Sequence, residues 1–292
     1  MKLRLGTRGS DLALTQARWF CDRLRSAHPG LEIEEIIIKT HGDRVQDRPF
    51  DASWPVGSFV SELENALVED KVDFAVHSFK DLPTQSPEPL VIAAVPGREE
   101  VADVLITAKP CTLDDIGPGF TIGTSSPRRQ AQWKRFGDVE LVPIRGNVPT
   151  RMRKVEEGLD GVILAAAGLK RLGLQPAHAI TLPVDQFVPS PAQGALAVQT
   201  RRDTKAEAAI GVLNEDTARR GVDAERQFLT TIGAGCHTPV GALACVEGET
   251  ITLFGQLFTD DMTRVAEGEE VGADPFAVGA ALAQRLVAEL GT

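Results

Sequence analysis

Six arginines stand where the chain turns between apolar and polar segments: Arg8, Arg128, Arg129, Arg145, Arg151 and Arg171. Guanidinium is a planar fork of donors that keeps its proton, so a convergent set suits a ligand carrying several carboxylates. Taken singly, each is equally well read as a solvated surface charge. Asp81 follows Lys80 and precedes Leu82-Pro83. The neighbouring ammonium keeps its carboxylate ionised, ready to oppose a positive charge that develops as an amine leaves a substrate. An aspartate that caps the turn before a proline is the plain alternative. Cys236 lies between Gly235 and His237, with Gly233 and Pro239 close by. Small neighbours leave the sulfur reachable, and the histidine lowers its pKa. Cys21, Cys111 and Cys245 read as small buried hydrophobes. With no CxxC and no paired histidines, neither a zinc site nor a disulfide framework is expected.

These groups need elements to place them. Lys2 to Gly6 reads as a strand, Ser10 as the N-cap of a helix with Leu12, Leu14, Ala17, Phe20 and Leu24 on its apolar face, and Ile33 to Lys39 as the next strand. That is one βαβ unit. Phe59 to Val68 has helical periodicity, and Phe74 to Ser78 is a short buried strand running into the Lys80–Pro83 turn. Asp81 thus falls just past a strand's carboxyl end, where open α/β sheets bind ligands. The pattern then repeats. Phe120 to Gly123 is a strand, Ser125-Ser126-Pro127 opens a helix, and Leu141 to Ile144 is a strand leading into Arg145-Gly146-Asn147. A helix near Thr150 to Glu157 and a buried strand from Gly161 through Ala167 follow. Helix starts near Ser10 and Ser126 add backbone N–H donors for the same anions. From about Thr217 the texture changes to a charged helix, a turn-rich stretch, strands at Ala242 to Cys245 and Thr250 to Phe258, and an amphipathic helix over Pro275 to Leu290, which reads as a small α+β domain.

Composition bounds the answer. The 292 residues are 42% hydrophobic and 25% charged, enough for two or three cored domains. The net charge of −10 speaks against nucleic acid as a partner. Yet Thr121 to Arg171 holds ten Lys/Arg against five Asp/Glu, a basic centre in an acidic chain, which points to a small polyanion. The longest apolar run, Val162 to Leu169, is too short to span a membrane, and no export leader is read at the start.

In order along the chain stand Thr7-Arg8-Gly9-Ser10, His77-Ser78-Phe79-Lys80-Asp81-Leu82-Pro83, Gly123-Thr124-Ser125-Ser126-Pro127-Arg128-Arg129-Gln130, Arg145-Gly146-Asn147-Val148, Ala167-Gly168-Leu169-Lys170-Arg171-Leu172 and Gly233-Ala234-Gly235-Cys236. With these six motifs the sequence resembles the hydroxymethylbilane synthase (porphobilinogen deaminase) family. The resemblance implies an α/β fold of two periplasmic-binding-protein-like (type II) doubly wound domains plus a small α+β domain. The expected bounds are 1–96 with 193–211, then 100–189, then 215–292. It implies a dipyrromethane primer in thioether linkage to Cys236, and head-to-tail condensation of four porphobilinogen molecules with release of ammonia, followed by hydrolysis to hydroxymethylbilane. Asp81 maps onto the catalytic aspartate, which meets the pyrrole nitrogens. Arg8, Ser10, Lys80, Ser126, Arg128, Arg129, Arg145, Arg151, Arg171 and Gln193 map onto positions that bind acetate and propionate groups or shape the cleft. A cytoplasmic monomer is implied, with no metal, nucleic acid or membrane. Each porphobilinogen brings two carboxylates, so the arginines have a reason.

Where the family shows Gly-Gly-Lys-Gly-Leu-Phe-x-Lys-Glu, this sequence has Trp54-Pro55-Val56-Gly57-Ser58-Phe59-Val60-Ser61-Glu62, without either lysine. With the polar stretch from His41 to Ser53 it reads as a lid whose contacts to substrate are altered. Pro127, Pro149 and His237 also depart from the commoner residues, and Ser190-Pro191-Ala192-Gln193-Gly194 replaces a glycine-richer turn. Two rivals use the same residues: a non-catalytic anion-binding protein, and a relative that keeps the primer without turnover.

Overall fold

The computed structural model describes residues 1–40, 60–233 and 238–291. They form two compact units, the first drawn from 1–40, 60–99 and 194–220, the second from 100–193, 221–233 and 238–291.

In the first unit, β1 (Lys2–Thr7), β2 (Glu32–Ile37), β3 (Phe74–Ser78), β4 (Leu90–Ala94) and β10 (Leu196–Arg201) make one sheet in the order β2-β1-β3-β10-β4. β1 runs parallel to β2 and β3, whereas β10 runs antiparallel to both neighbours. Helix α1 (Asp11–Ala27) buries Ala17, Phe20, Cys21 and Leu24 against one face, and α2 (Ser61–Val68) buries Leu63, Ala66 and Leu67 against the other. Phe20 meets Phe74 edge-on at 6.0 Å between ring centres, a favoured aromatic geometry. The sheet is covered on both faces, which is why β1 and β3 carry almost unbroken burial instead of alternation. Helix α6 (Lys205–Gly211) follows β10.

The second unit repeats the plan. β5 (Asp103–Thr107), β6 (Thr121–Gly123), β7 (Glu140–Val142), β8 (Gly161–Ala165) and β9 (Ala179–Thr181) order as β7-β6-β8-β5-β9, again with the fourth strand antiparallel to its neighbours. In each sheet that odd strand lies outside the run of βα turns in sequence: β10 joins late, β5 early. Helices α3 (Pro127–Phe136), α4 (Val148–Glu156) and α5 (Ala166–Arg171) complete this half. The apolar run that reads as strand through Ala167 is divided. Strand β8 stops at Ala165, and α5 begins at Ala166.

Helix α7 (Asp216–Ile232) leads into an antiparallel sheet of β11 (Val240–Glu247), β12 (Thr250–Phe258) and β13 (Val265–Gly272), and α8 (Pro275–Leu290) closes the chain. Phe228, Leu253, Leu282 and Leu286 meet in its core. Gly279 is where α8 crosses α7: a Cβ there would run into the Ala224 carbonyl and the Gln227 side chain. Strand β13 carries only three apolar residues, Val265, Ala266 and Val271, on a Glu/Gly background, so its place is set by pairing with β12 rather than by its own pattern. Cys245 corrects one expectation. Its side chain lies on the open side of β11 and is exposed, while Cys21 is buried and Cys111 half-buried. No helix among the described residues is long and apolar enough to cross a membrane.

Candidate functional site

The first unit gathers the N-terminal motifs at the carboxyl ends of β1 and β3. Ser10 caps α1, its hydroxyl accepting from the Ala13 N–H at 3.4 Å, and so holds the helix start beside Arg8. Beyond β3 the chain makes one 3₁₀ turn, Phe79–Asp81, with Phe79 buried as its anchor and Asp81 exposed. Arg8, Ser10, Gln16, His77, Ser78 and Asp81 line one pocket. Thus Arg8 and Ser10 share a pocket with Asp81, which is far from them in sequence, and Lys80 lies in the same turn as Asp81. The Gln16 amide, donating to the Ser78 hydroxyl at 2.9 Å, ties α1 to the end of β3 and fixes the pocket's floor.

Behind the pocket lies a buried polar row that sequence reasoning passed over. His77 is 6% exposed, and burial pulls its imidazole down to about 4; the Gln199 amide beside it opposes the shift and the Arg8 charge adds to it. The ring is therefore neutral at neutral pH. Gln199 donates to the Glu64 carboxylate at 2.9 Å and to the Ser86 hydroxyl at 3.1 Å, and burial raises the Glu64 carboxyl above the usual range against the hydrogen bonds it receives from Gln199 and Ser86. The hint in the sequence was a histidine, a glutamine and a glutamate inside segments otherwise apolar.

In the second unit, Ser126 caps α3 by accepting from the Arg129 N–H at 3.5 Å, with Pro127 in the first turn as expected. Arg128 and Arg129 differ from a picture of open, solvent-facing ligands: they are 4% and 7% exposed. Asp103 accounts for the difference. Its Oδ2 accepts from Arg128 Nη2 at 2.7 Å and Arg129 Nε at 3.0 Å, and its Oδ1 from Arg129 Nη2 at 2.7 Å. Gln193 joins the cluster, donating to Asp103 Oδ1 at 2.9 Å and to the Val101 carbonyl at 2.8 Å. Burial pulls Arg128 down, Asp103 holds it up, and the like charge of Arg129 adds to the pull. Asp103 went unnoticed in the sequence, although an acid at the head of a wholly buried strand, Asp103–Thr107, is a visible anomaly.

Arg145 and Arg151 flank the start of α4. Gly146 holds φ 106°, and a Cβ there would run into the Thr150 side chain, so only glycine suits the turn. Asn147 caps α4 through the Thr150 N–H at 3.0 Å, and Arg151 Nε donates to the Gly146 carbonyl at 2.8 Å. Both residues are half-buried, as is Arg171, the last residue of α5. Ala192, in the substituted turn, sits at φ 62°, a conformation that glycine adopts without strain. The buried Glu225 accepts from the Ala192 N–H at 2.6 Å and from the Ala244 N–H at 2.8 Å, pinning that turn to β11. Cys236 and His237, and the lysine-less Trp54–Phe59 stretch with the polar segment before it, lie outside the described residues.

Two sheets of one strand order, each with a capped helix start and candidate arginine side chains beyond its strand ends, define an α/β protein of the kind that binds ligands at those ends. The family model "Porphobilinogen deaminase, dipyromethane cofactor binding domain" matches residues 3–209, and "Porphobilinogen deaminase, C-terminal domain" matches residues 220–288. The porphobilinogen deaminases of Alkaliphilus metalliredigens (strain QYMF) and Roseiflexus castenholzii (strain DSM 13941 / HLO8) are each 42% identical over 290 residues, covering 98% of this chain and 92% and 95% of theirs. The chain belongs to the porphobilinogen deaminase family. Among solved structures, the BenM effector binding domain with benzoate aligns at TM-score 0.44 and 15% identity over 80% of this chain and 93% of that one. The strand orders above, and not that likeness, carry the fold.

Proposed function

We propose that this chain is a hydroxymethylbilane synthase, joining four porphobilinogen molecules head to tail with loss of ammonia at each addition and releasing hydroxymethylbilane by hydrolysis. The observation that carries this reading is the meeting of Arg8, Ser10 and Asp81 in one pocket of a chain whose family membership spans nearly its whole length. The described residues fit a primer of linked pyrroles bearing carboxylates: the Asp103 cluster holds two guanidiniums to one carboxylate and keeps a net positive charge, and two more half-buried arginines flank α4. A dipyrromethane, held as a thioether on Cys236, supplies when bound a nucleophilic pyrrole carbon that stays tethered through successive additions.

The chain's own residues do the rest. Arg8 and Ser10 grip a substrate carboxylate with guanidinium and helix-start donors. Asp81, exposed at the pocket wall, faces the pyrrole as the carbon–nitrogen bond breaks, and its fixed negative charge stabilises the developing cation. Lys80, Ser126, Arg128, Arg129, Arg145, Arg151, Arg171 and Gln193 bind the acetate and propionate groups of the growing chain or shape the cleft that holds them. The partition into 1–96 with 193–211, 100–189 and 215–292, a cytoplasmic monomer, and porphobilinogen as sole partner complete the reading.

Intact mass of the purified chain, peptide mapping and a porphobilinogen assay test it. The expected result is an adduct of two linked pyrroles on the Cys236 peptide together with turnover. An unmodified, inert chain overturns it. Cys236→Ser is expected to lose the adduct while Cys245→Ser, at the exposed thiol on β11, is expected to keep it, because the reading puts the attachment on Cys236.

A further inference from the structure

Asp103 is 1% exposed and opens β5. Its two oxygens receive at least four hydrogen bonds, from Arg128, twice from Arg129, and from Gln193, between 2.7 and 3.0 Å. Each donor is fixed at a second point. Arg128 Nη1 donates to the Val188 carbonyl at 2.7 Å, Arg129 Nη1 to the Ile163 carbonyl at 2.9 Å, and Gln193 to the Val101 carbonyl at 2.8 Å. Carbonyl on one side and carboxylate on the other leave no rotational freedom. The brace also continues outward. Gln132 Oε1 accepts from Arg128 at 3.1 Å, Gln132 Nε2 donates to Gln256 at 3.0 Å, and Gln256 donates to Glu267 at 3.0 Å, so the guanidiniums are registered against the β11–β13 sheet as well.

A stabilising device would balance its charges, because an uncompensated cation buried in protein is costly. Among the described residues two guanidiniums meet one carboxylate, which leaves a net positive charge on groups that are only 4% and 7% exposed. Such a site is completed by an anion. We infer that Asp103 is a positioning residue, holding Arg128 and Arg129, with Gln193 locked beside them, in the orientation in which the two guanidiniums receive the carboxylates of bound pyrroles while leaving one positive charge for them. The inference rests on the reading of those three residues given above. Asp103 itself stays clear of the substrate and acts through its partners.

Two full-length variants test it, each followed by intact mass for primer occupancy, by kcat and KM for porphobilinogen, and by thermal melting. Asp103→Glu keeps the charge but moves the carboxylate by one methylene; it is expected to melt near the wild type yet to show a raised KM, with kcat/KM down by about 10²-fold, or a lower primer occupancy. Asp103→Asn, which also removes the charge, is expected to lose more of both. A folded Asp103→Glu with wild-type occupancy, kcat and KM overturns the inference. So does failure of both variants to fold, which assigns Asp103 to stability alone. A wild-type chain without primer or turnover sinks the proposed function instead, so the two failures are told apart.

Discussion

At the scale of single residues, position in the fold separates groups that look alike in sequence. Asp81 and Asp103 are both aspartates beside cations, yet one is exposed at a pocket wall and the other is buried under two arginines and a glutamine. The first is free to meet a developing charge; the second is spent on orientation. Asp81→Asn is therefore expected to keep the primer, seen by intact mass, and to lose about 10²-fold or more in kcat, the usual scale for removing one preorganised electrostatic partner. His77 gives a prediction in pH. Its folded pKa of about 4 lies below the ordinary 6.5, so the unfolded chain binds more protons between those values, and stability falls as pH drops from 6.5 toward 4. The effect is at most about 3 kcal/mol. Urea midpoints of wild type and His77→Asn across that window are expected to converge at low pH, with the variant showing the flatter profile. The raised Glu64 carboxyl is common to both and drops out of the comparison.

At the scale of elements, capping and close approach fix what periodicity leaves loose. Ser10, Ser126 and Asn147 begin three helices that carry candidate site residues; the first two caps were visible as small polar residues ahead of a helical pattern, whereas Asn147 read as loop before a helix starting near Thr150. Element ends drifted by a residue or two, as at β2 and α4, because hydrogen-bond pairing and not pattern decides where a strand or helix stops. β13 was missed outright: Val265-Ala-Glu-Gly-Glu-Glu-Val-Gly has no apolar alternation, and only its eight-residue register with β12 makes it a strand. The crossing of α7 and α8 at Gly279 is a matching case for helices. Gly279→Ala gains helix propensity but forces the pair apart, and denaturant unfolding is expected to show a net loss of about 1–3 kcal/mol. A net gain would mean that the crossing gives way freely.

At the scale of the whole molecule, charge is arranged against the average. An acidic chain of net charge −10 concentrates ten of its cations between Thr121 and Arg171, and the described part of that segment supplies the Arg128–Arg129 pair and the arginines around α4. Binding of a polyanion to such a patch is screened by salt, so kcat/KM for porphobilinogen is expected to fall as ionic strength rises from 0.05 to 0.5 M, the range flagged by a Debye length of roughly 14 to 4 Å, while kcat changes little. A kcat/KM indifferent to salt would argue that the arginines serve packing alone. The sequence by itself determined the βα runs β1 to β3 and β6 to β8, the Ser10 and Ser126 caps, the α+β make-up of the C-terminal part and, through six ordered motifs, the family; all of these rest on local spacing and residue type. Tertiary structure alone decided that β5 and β10 each enter a sheet antiparallel from a distant part of the chain, that Asp103, Arg128, Arg129 and Gln193 share one buried cluster, and that His77 is neutral. Those facts depend on which distant segments exclude water from one another, and burial of that kind has no signature in the spacing of neighbours.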